Sequence, residues 1–183
     1  MKMYNVHAGH NQSGRLGSGA VGYLDESKEA RKIKKYVIRQ LRKKGNKVYD
    51  CTVNNGKNQM DVLKRIVQKA NKHKVDLDIS IHLNSGRNDK RGDGKNGGCE
   101  ILCTESTGIK KRAAAGIRDE MKKLGFTDRG TKINNSLYVL NKTKSKAILI
   151  EVCFVDDKDD YKCYQKVGAK KIGEAIAKGI MNA

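Results

Sequence analysis

The chain has 183 residues and a formal net charge of +19, from 39 Lys and Arg against 20 Asp and Glu. Its length favours a single domain, no segment approaches the roughly 18–20 consecutive apolar residues of a membrane-spanning helix, and its first ten residues lack the apolar run of a signal peptide. The five cysteines are odd in number and form no CxxC pair, so a disulfide framework is not expected.

The hydrophobic pattern predicts strands alternating with helices along the whole chain. The elements are strand 3–8, helix 26–44, strand 47–52, helix 58–73, strand 75–83, strand 98–104, helix 107–124, strand 136–141, strand 146–155, a short acidic helix or turn at 156–163, and helix 165–182. This order predicts a single layered α/β domain, with a mostly parallel or mixed twisted sheet of about six strands and helices on both faces.

The positive charge predicts an anionic partner, and nucleic acid, a membrane surface and a bacterial wall are the candidates. The most concentrated basic surface is the outer face of helix 26–44, which has nine basic and two acidic residues; a plain solvating surface is the alternative. With 29 Lys, 10 Arg and only 5% aromatic residues, the chain suits diffuse attraction better than base reading or stacking, which disfavours nucleic acid.

Polar residues near the ends of three predicted strands are the candidates for chemistry. Glu151 interrupts the apolar run 147–155, and because burying an unpartnered carboxylate is costly, we interpret it as a functional acid, with a structural salt bridge as the alternative. His82 lies near the end of strand 75–83 and His10 directly follows the first strand. Ligand sites form at the carboxyl ends of parallel strands, so we expect these side chains to converge if the strands run parallel.

Glu26, at the start of helix 26–44, is a fourth candidate, although a carboxylate favoured by the helix dipole is an equal alternative. Two His and one carboxylate with an open fourth position form a common catalytic zinc set. The sequence contains no HExxH motif, so such ligands would have to come from separate segments.

Five segments in order give the sequence a family resemblance. The segments are Ala8-Gly9-His10, Asp25-Glu26-Ser27, the stretch from Ala70-Asn71 through Asp76-Leu77 to Ser80-Ile81-His82-Leu83-Asn84, Asp128-Arg129-Gly130 with Leu137-Tyr138-Val139-Leu140, and Ala147 to Phe154. With these segments in this order, the sequence resembles the zinc-dependent N-acetylmuramoyl-L-alanine amidases of bacterial autolysins and phage endolysins.

The resemblance implies that His10, Glu26 and His82 bind Zn²⁺ and that Glu151 is the catalytic carboxylate. The reaction would be hydrolysis of the amide between N-acetylmuramic acid and L-alanine by zinc-activated water. Asn84 is a candidate oxyanion or substrate contact. Arg129, expected in a loop, is a candidate for binding a stem-peptide carboxylate, with a plain surface Arg as the alternative.

Some positions depart from the family pattern. His7-Ala8 stands where Asp-Pro is common, Asp78 where an apolar residue is more usual, and Lys146 where a Pro often precedes the last strand. We interpret His7 as merely a strand side chain. Cys153 shares a strand face with Glu151 and is interpreted as a small core residue; Cys99 and Cys103 lack metal-binding spacing.

The resemblance also implies partners and a place of action. We expect residues 1–183 to form one catalytic amidase domain without a separate cell-wall-binding domain. The expected partners are peptidoglycan and anionic cell-wall polymers, with no nucleic acid and no membrane insertion. The protein would be made in the cytoplasm and would act on the wall after release by phage or cell lysis. The alternatives are another zinc-dependent peptidase or deacetylase, or a non-catalytic basic domain that binds polyanions.

Overall fold

The computed structural model describes residues 1–183, which form six strands and five helices. In chain order the elements are β1 Met3–Ala8, α1 Glu26–Lys43, β2 Lys47–Asp50, α2 Gln59–Ala70, β3 Leu77–Asn84, β4 Cys99–Cys103, α3 Gly108–Lys123, β5 Asp128–Ile133, α4 Tyr138–Lys142, β6 Ala147–Phe154 and α5 Lys158–Met181. The predicted α/β class is confirmed, and no helix is long and apolar enough to cross a bilayer.

The six strands form one mixed sheet in the order β2-β1-β3-β6-β4-β5. Strands β2, β1, β3 and β6 are parallel neighbours. Strand β4 runs antiparallel to β6, and β5 runs parallel to β4. The carboxyl ends of β1, β3 and β6 therefore share one edge of the sheet with the amino end of β4, and we call this edge the carboxyl edge.

Helices cover both faces of the sheet, as the sequence predicts. Helices α1, α3 and α5 pack around a cluster of 34 buried residues. Helices α2 and α4 enclose a smaller cluster of eight residues. Alternate residues of β6 divide between the two clusters, with Ile148 and Ile150 in the larger and Ala147 and Leu149 in the smaller. Strand β6 is therefore buried on both sides, which explains its nearly continuous apolar sequence.

The prediction for residues 128–141 is wrong. The expected strand over 136–141 is the short helix α4, and the preceding segment is the unpredicted strand β5. Val139 and Leu140 are both buried in the smaller cluster, and burying two consecutive residues on one side suits a helix better than a strand. Strand β5 lies at the sheet edge and is half-buried or exposed throughout, so it lacks the apolar alternation that marks a strand.

The predicted break near residue 164 also needs correction. Residues 158–181 form α5, in which Gly168 has φ 78° and ψ 153°. This conformation is outside the helical region and kinks the helix, and it favours glycine because φ is positive. The break therefore exists, but it lies at Gly168.

The cysteines are free thiols, and four of the five are buried. Cys153 lies in the larger core cluster, as expected. The expectation that it shares a strand face with Glu151 fails because β6 contains a bulge: His82 pairs with Glu151, but Asn84 pairs with Phe154. The extra residue interrupts the alternation of side chains, and burial raises the pKa of Cys153 well above its ordinary value.

Candidate active site

The structure brings His10, Glu26 and His82 together at the carboxyl edge. Glu26 Oε1 lies 3.1 Å from His10 Nε2 and 3.0 Å from His82 Nδ1. His10 follows β1, His82 lies in β3, and Glu26 is the first residue of α1. Asp25 begins that helix as its N-cap, with its side chain accepting a hydrogen bond from the Lys28 backbone N–H. The cap fixes the start of α1, and thereby fixes where Glu26 projects.

Two local contacts hold the histidines in place. The guanidinium of Arg31 donates to the carbonyl oxygens of His10, at 2.7 Å, and Val53, at 3.1 Å. Arg31 was expected on the solvating basic face of the helix, but it is half-buried and ties α1 to the end of β1. Gly9 lies against the ring of His82, because a Cβ at this position would be 1.7 Å from His82 Nε2. A side chain at residue 9 would displace His82.

The three side chains fit a catalytic zinc ion. Their donor atoms, two imidazole nitrogens and one carboxylate oxygen, all lie within 4.8 Å of one another, and this donor set is common in catalytic zinc sites. Burial lowers the pKa of His82 despite the opposing effect of Glu26, which favours the neutral imidazole that metals bind. Burial opposes ionisation of Glu26, but hydrogen bonds from His10 and His82 outweigh it and lower the pKa of Glu26.

Glu151 lies in the same cleft with the opposite electrostatic character. The cleft has a volume of about 540 Å³ and is lined by His10, Glu26, His82, Asn84 and Glu151, together with part of the loop before α1. Burial, with added repulsion from Glu26 and Glu100, raises the pKa of Glu151 to about 8. Its Oε2 atom is buried without a hydrogen-bond partner. The sequence expectation that Glu151 converges with the other three residues is thus met in space.

Asn84 and Arg129 are connected through a residue that the sequence analysis missed. Asn84 Nδ2 donates to Glu100 Oε1 at 3.0 Å, and Arg129 Nε donates to Glu100 Oε2 at 3.1 Å. Arg129 lies in β5 rather than in the expected loop, and its guanidinium stands over the ring of Phe154 at 4.9 Å. Asn84 lines the cleft directly. Arg129 does not line the cleft and is connected to Asn84 only through Glu100.

Glu100 reaches the site because β4 is antiparallel to β6 and places Glu100 opposite Glu151. The available signal was a carboxylate among the apolar residues of strand 98–104, which is the same signal that identified Glu151. His7 lies in β1, in agreement with its interpretation as a strand side chain. It is fully buried and hydrogen-bonded to Asp78 and Ser80.

Comparisons with known proteins show what this chain is similar to. The chain is 38% identical over 176 residues to an uncharacterized 38.4 kDa protein of Clostridium perfringens, covering 96% of this chain and 49% of that protein. It is 33% identical over 115 residues to the endolysin of Bacillus phage SPP1, covering 62% of this chain and 42% of the endolysin. The chain therefore spans about half the length, or less, of these curated relatives.

A solved structure extends the likeness to the fold. The catalytic domain of the CD27L endolysin targeting Clostridia Difficile superposes with a TM-score of 0.84 at 30% identity, covering 100% of this chain and 98% of that domain. The family Amidase_3, described as N-acetylmuramoyl-L-alanine amidase, matches residues 5–182. Since that match includes nearly every residue, the chain belongs to the N-acetylmuramoyl-L-alanine amidase family.

Proposed function

We propose that this chain hydrolyses the amide bond between N-acetylmuramic acid and L-alanine in peptidoglycan. The observation that carries this proposal is the convergence of His10, Glu26 and His82 with the half-buried, protonatable Glu151 in one cleft. A set of metal ligands beside a carboxylate that can exchange a proton is suited to hydrolysis of an unactivated amide. Membership of the amidase family supports this choice of bond.

His10 Nε2, Glu26 Oε1 and His82 Nδ1 are the proposed zinc ligands. When bound, zinc lowers the pKa of a water molecule towards about 7 and polarises a substrate carbonyl. Glu26 suits this role because its lowered pKa keeps it ionised. His82 suits it because burial favours its neutral form.

Glu151 is the proposed general base and acid. It accepts the proton of the attacking water and then donates that proton to the leaving amine. Burial and the neighbouring carboxylates raise the pKa of Glu151 to about 8 in the metal-free protein, which favours its protonated form. A cation bound by the neighbouring ligands would favour the ionised form, so Glu151 is suited to exchange a proton. Glu151 lines the cleft, so its carboxyl group can contact the water and the amine.

Asn84 and Arg129 are the proposed substrate contacts. Asn84 lines the cleft beside Glu151, where its amide can contact the scissile carbonyl. Arg129 is about one-third exposed and is oriented by Glu100 and Phe154. Its guanidinium is suited to a carboxylate of the stem peptide, since Arg binds carboxylates with two parallel hydrogen bonds.

Residues 1–183 form the proposed single catalytic domain, which acts as an endolysin or autolysin on the wall after release from the cytoplasm.

Anionic wall polymers are the proposed partners of the basic surface. One groove of about 570 Å³ on α1 is lined by Arg31, Lys34, Lys35, Ile38, Arg39, Arg42 and Asp50. Because Lys34 pairs with Asp50 at 2.7 Å and Arg31 is half-buried, the exposed cations there are Lys35, Arg39 and Arg42. They suit diffuse attraction to phosphate-rich or carboxylate-rich polymers.

Digestion of purified cell walls tests the proposed function. We expect the zinc-loaded protein to release new alanine amino groups without new reducing sugar ends. Release of acetate would indicate a deacetylase, and new amino groups from other residues would indicate a peptidase. Wall binding without any released group would indicate a non-catalytic polyanion binder. Each of these three results would contradict the proposed reaction.

A further inference from the structure

A buried chain of hydrogen bonds leads from the core to His82. Asp78 Oδ1 lies 3.0 Å from His7 Nε2, His7 Nδ1 lies 3.3 Å from Ser80 Oγ, and Ser80 Oγ lies 3.0 Å from His82 Nε2. The fractional exposures of Asp78, His7 and Ser80 are 1%, 0% and 2%. The proposed mechanism assigns no role to any of these three residues.

The sheet register brings these side chains together. His7 of β1 pairs directly with Ser80 of β3, and Asn5 pairs with Asp78. Asp78, Ser80 and His82 alternate along β3 and so project to one face, which is also the face of His7. A carboxylate and an imidazole at this depth are costly unless they are paired. Their hydrogen bonds to each other and to Ser80 offset part of that cost, although Asp78 Oδ2 is buried without a hydrogen-bond partner.

The chain of contacts imposes a direction on the hydrogen bonds. An ionised Asp78 is only an acceptor, so His7 Nε2 carries the proton that it donates. In a neutral His7 the other nitrogen, Nδ1, is then an acceptor, and the Ser80 hydroxyl donates to it. Ser80 Oγ is left to accept from His82 Nε2–H. The proton of a neutral His82 therefore belongs on Nε2, and the lone pair on Nδ1.

We propose that Asp78, His7 and Ser80 are positioning residues that hold His82 in the Nε2–H tautomer and present Nδ1 to the metal. The proposal rests on the proposed zinc site, because Nδ1 is the atom that faces Glu26 and His10. Glu26 opposes this tautomer in the absence of metal, since Oε1 lies 3.0 Å from Nδ1 and would accept a proton from it. A partner on the far ring nitrogen that fixes tautomer and orientation is a general feature of histidine metal ligands. Here the partner is the Ser80 hydroxyl, and His7 connects it to the buried carboxylate of Asp78.

The test combines ring ¹⁵N NMR of His82 with zinc affinity measured by chelator competition. Ser80→Ala removes the acceptor for Nε2–H, so we expect His82 in the metal-free variant to move to the Nδ1–H tautomer and zinc binding to weaken about 10- to 100-fold. Asp78 is two hydrogen bonds farther from His82 than Ser80 is. We therefore expect Asp78→Asn to shift the His82 tautomer in the same direction and to weaken zinc binding less, by about 10-fold.

Thr52→Val is the matched control. It also removes one buried hydroxyl, which contacts the backbone N–H of Ala8 and not the chain to His82. We expect it to leave the His82 tautomer and zinc affinity unchanged. A purely structural role for Ser80 would lower thermal stability in both variants without changing the tautomer.

The inference is overturned if Ser80→Ala and Asp78→Asn keep the wild-type ring ¹⁵N signals and zinc affinity. It is also overturned if metal-free wild-type His82 is already the Nδ1–H tautomer. The ring ¹⁵N signals of His82 in the metal-free protein test the tautomer assignment even if the chain binds no zinc. A wild-type protein that binds zinc but releases no alanine amino groups would contradict the proposed reaction and leave this inference standing.

Discussion

The two ends of the sheet differ in how their charged groups are arranged. At the carboxyl edge, Glu26, His82 and Glu151 are largely removed from solvent and strongly coupled to one another. At the opposite, amino edge, a hollow of about 760 Å³ is lined by cations that are mostly exposed: Lys2, Lys74, Arg112, Lys144 and Lys146. Burial strengthens electrostatic coupling, whereas water and salt weaken it between exposed charges. The difference supports the proposal that the chemistry takes place at the carboxyl edge and that the basic surfaces attract anionic polymers.

Among changes at the carboxyl edge, replacing Glu151 is expected to cause the largest loss of cleavage activity. Glu151→Gln keeps the size of the side chain but removes its ability to exchange a proton, so we expect cleavage of a soluble muropeptide to fall about 10²- to 10⁴-fold. Zinc content, measured by elemental analysis, should stay the same as in the wild type. Near-normal turnover in this variant would show that another group moves the proton.

Crowding His82 should produce the next largest loss. In Gly9→Ala the new Cβ would overlap the His82 ring, so the ring must move and carry Nδ1 away from the other ligands. We expect about 10²-fold lower turnover, since misplacement of a catalytic group by about 1 Å costs that much, together with weaker zinc binding. Circular dichroism checks that the variant folds. Wild-type zinc affinity in a folded variant would mean that the site tolerates displacement of His82.

Removing a like charge beside Glu151 should shift its titration. Glu100 contributes to the raised pKa of Glu151, so Glu100→Gln should lower that pKa. A base must be ionised to act, so the acidic limb of the pH–rate profile should move to lower pH.

Arg129→Ala is the control for this shift, because it breaks the contact with Glu100 while keeping the negative charge of Glu100. Its acidic limb should not move to lower pH. If both variants shift the profile equally, the effect comes from loss of the Arg129 contact rather than from charge.

The smallest effect is expected at the amino edge and should depend on the substrate. In the double variant Lys74→Glu, Lys144→Glu, we expect digestion of whole walls to slow a few-fold at low salt, because exposed cations attract anionic polymers. Cleavage of a small soluble muropeptide should be unchanged. Wild-type wall digestion should weaken at high salt for the same reason. Equal salt sensitivity of both substrates would contradict this division between the two ends.

The sequence predicted the four central side chains because their signals are local. His10, His82 and Glu151 are polar residues near the ends of predicted strands, and Glu26 opens an amphipathic helix. Glu100 was missed because its position depends on the direction of β4, and strand direction is not contained in local hydrophobic periodicity. Strand β5 was missed because it is an edge strand with polar residues on both sides, so it has no hydrophobic periodicity to detect.

Other differences between the sequence predictions and the structure arise where tertiary contacts override the local sequence pattern. The bulge in β6 moves Cys153 into the core, although simple alternation places it beside Glu151. His7 and Asp78 stood out in the sequence only as separate departures from the family pattern, and the register of β1 against β3 brings them together as a pair. Arg31 fits the basic pattern of its helix, but the carbonyl groups within its reach remove it from that surface.

The Arg31 contacts have a consequence for the entropy of metal binding. His10 lies just beyond β1 in a loop, where a ligand would normally have to be ordered when the metal binds. Arg31 fastens the His10 and Val53 carbonyls to α1, the same helix that supplies Glu26. The backbone at His10 therefore loses its conformational freedom when the protein folds, and a metal bound at the proposed site would meet a ligand whose backbone is already ordered.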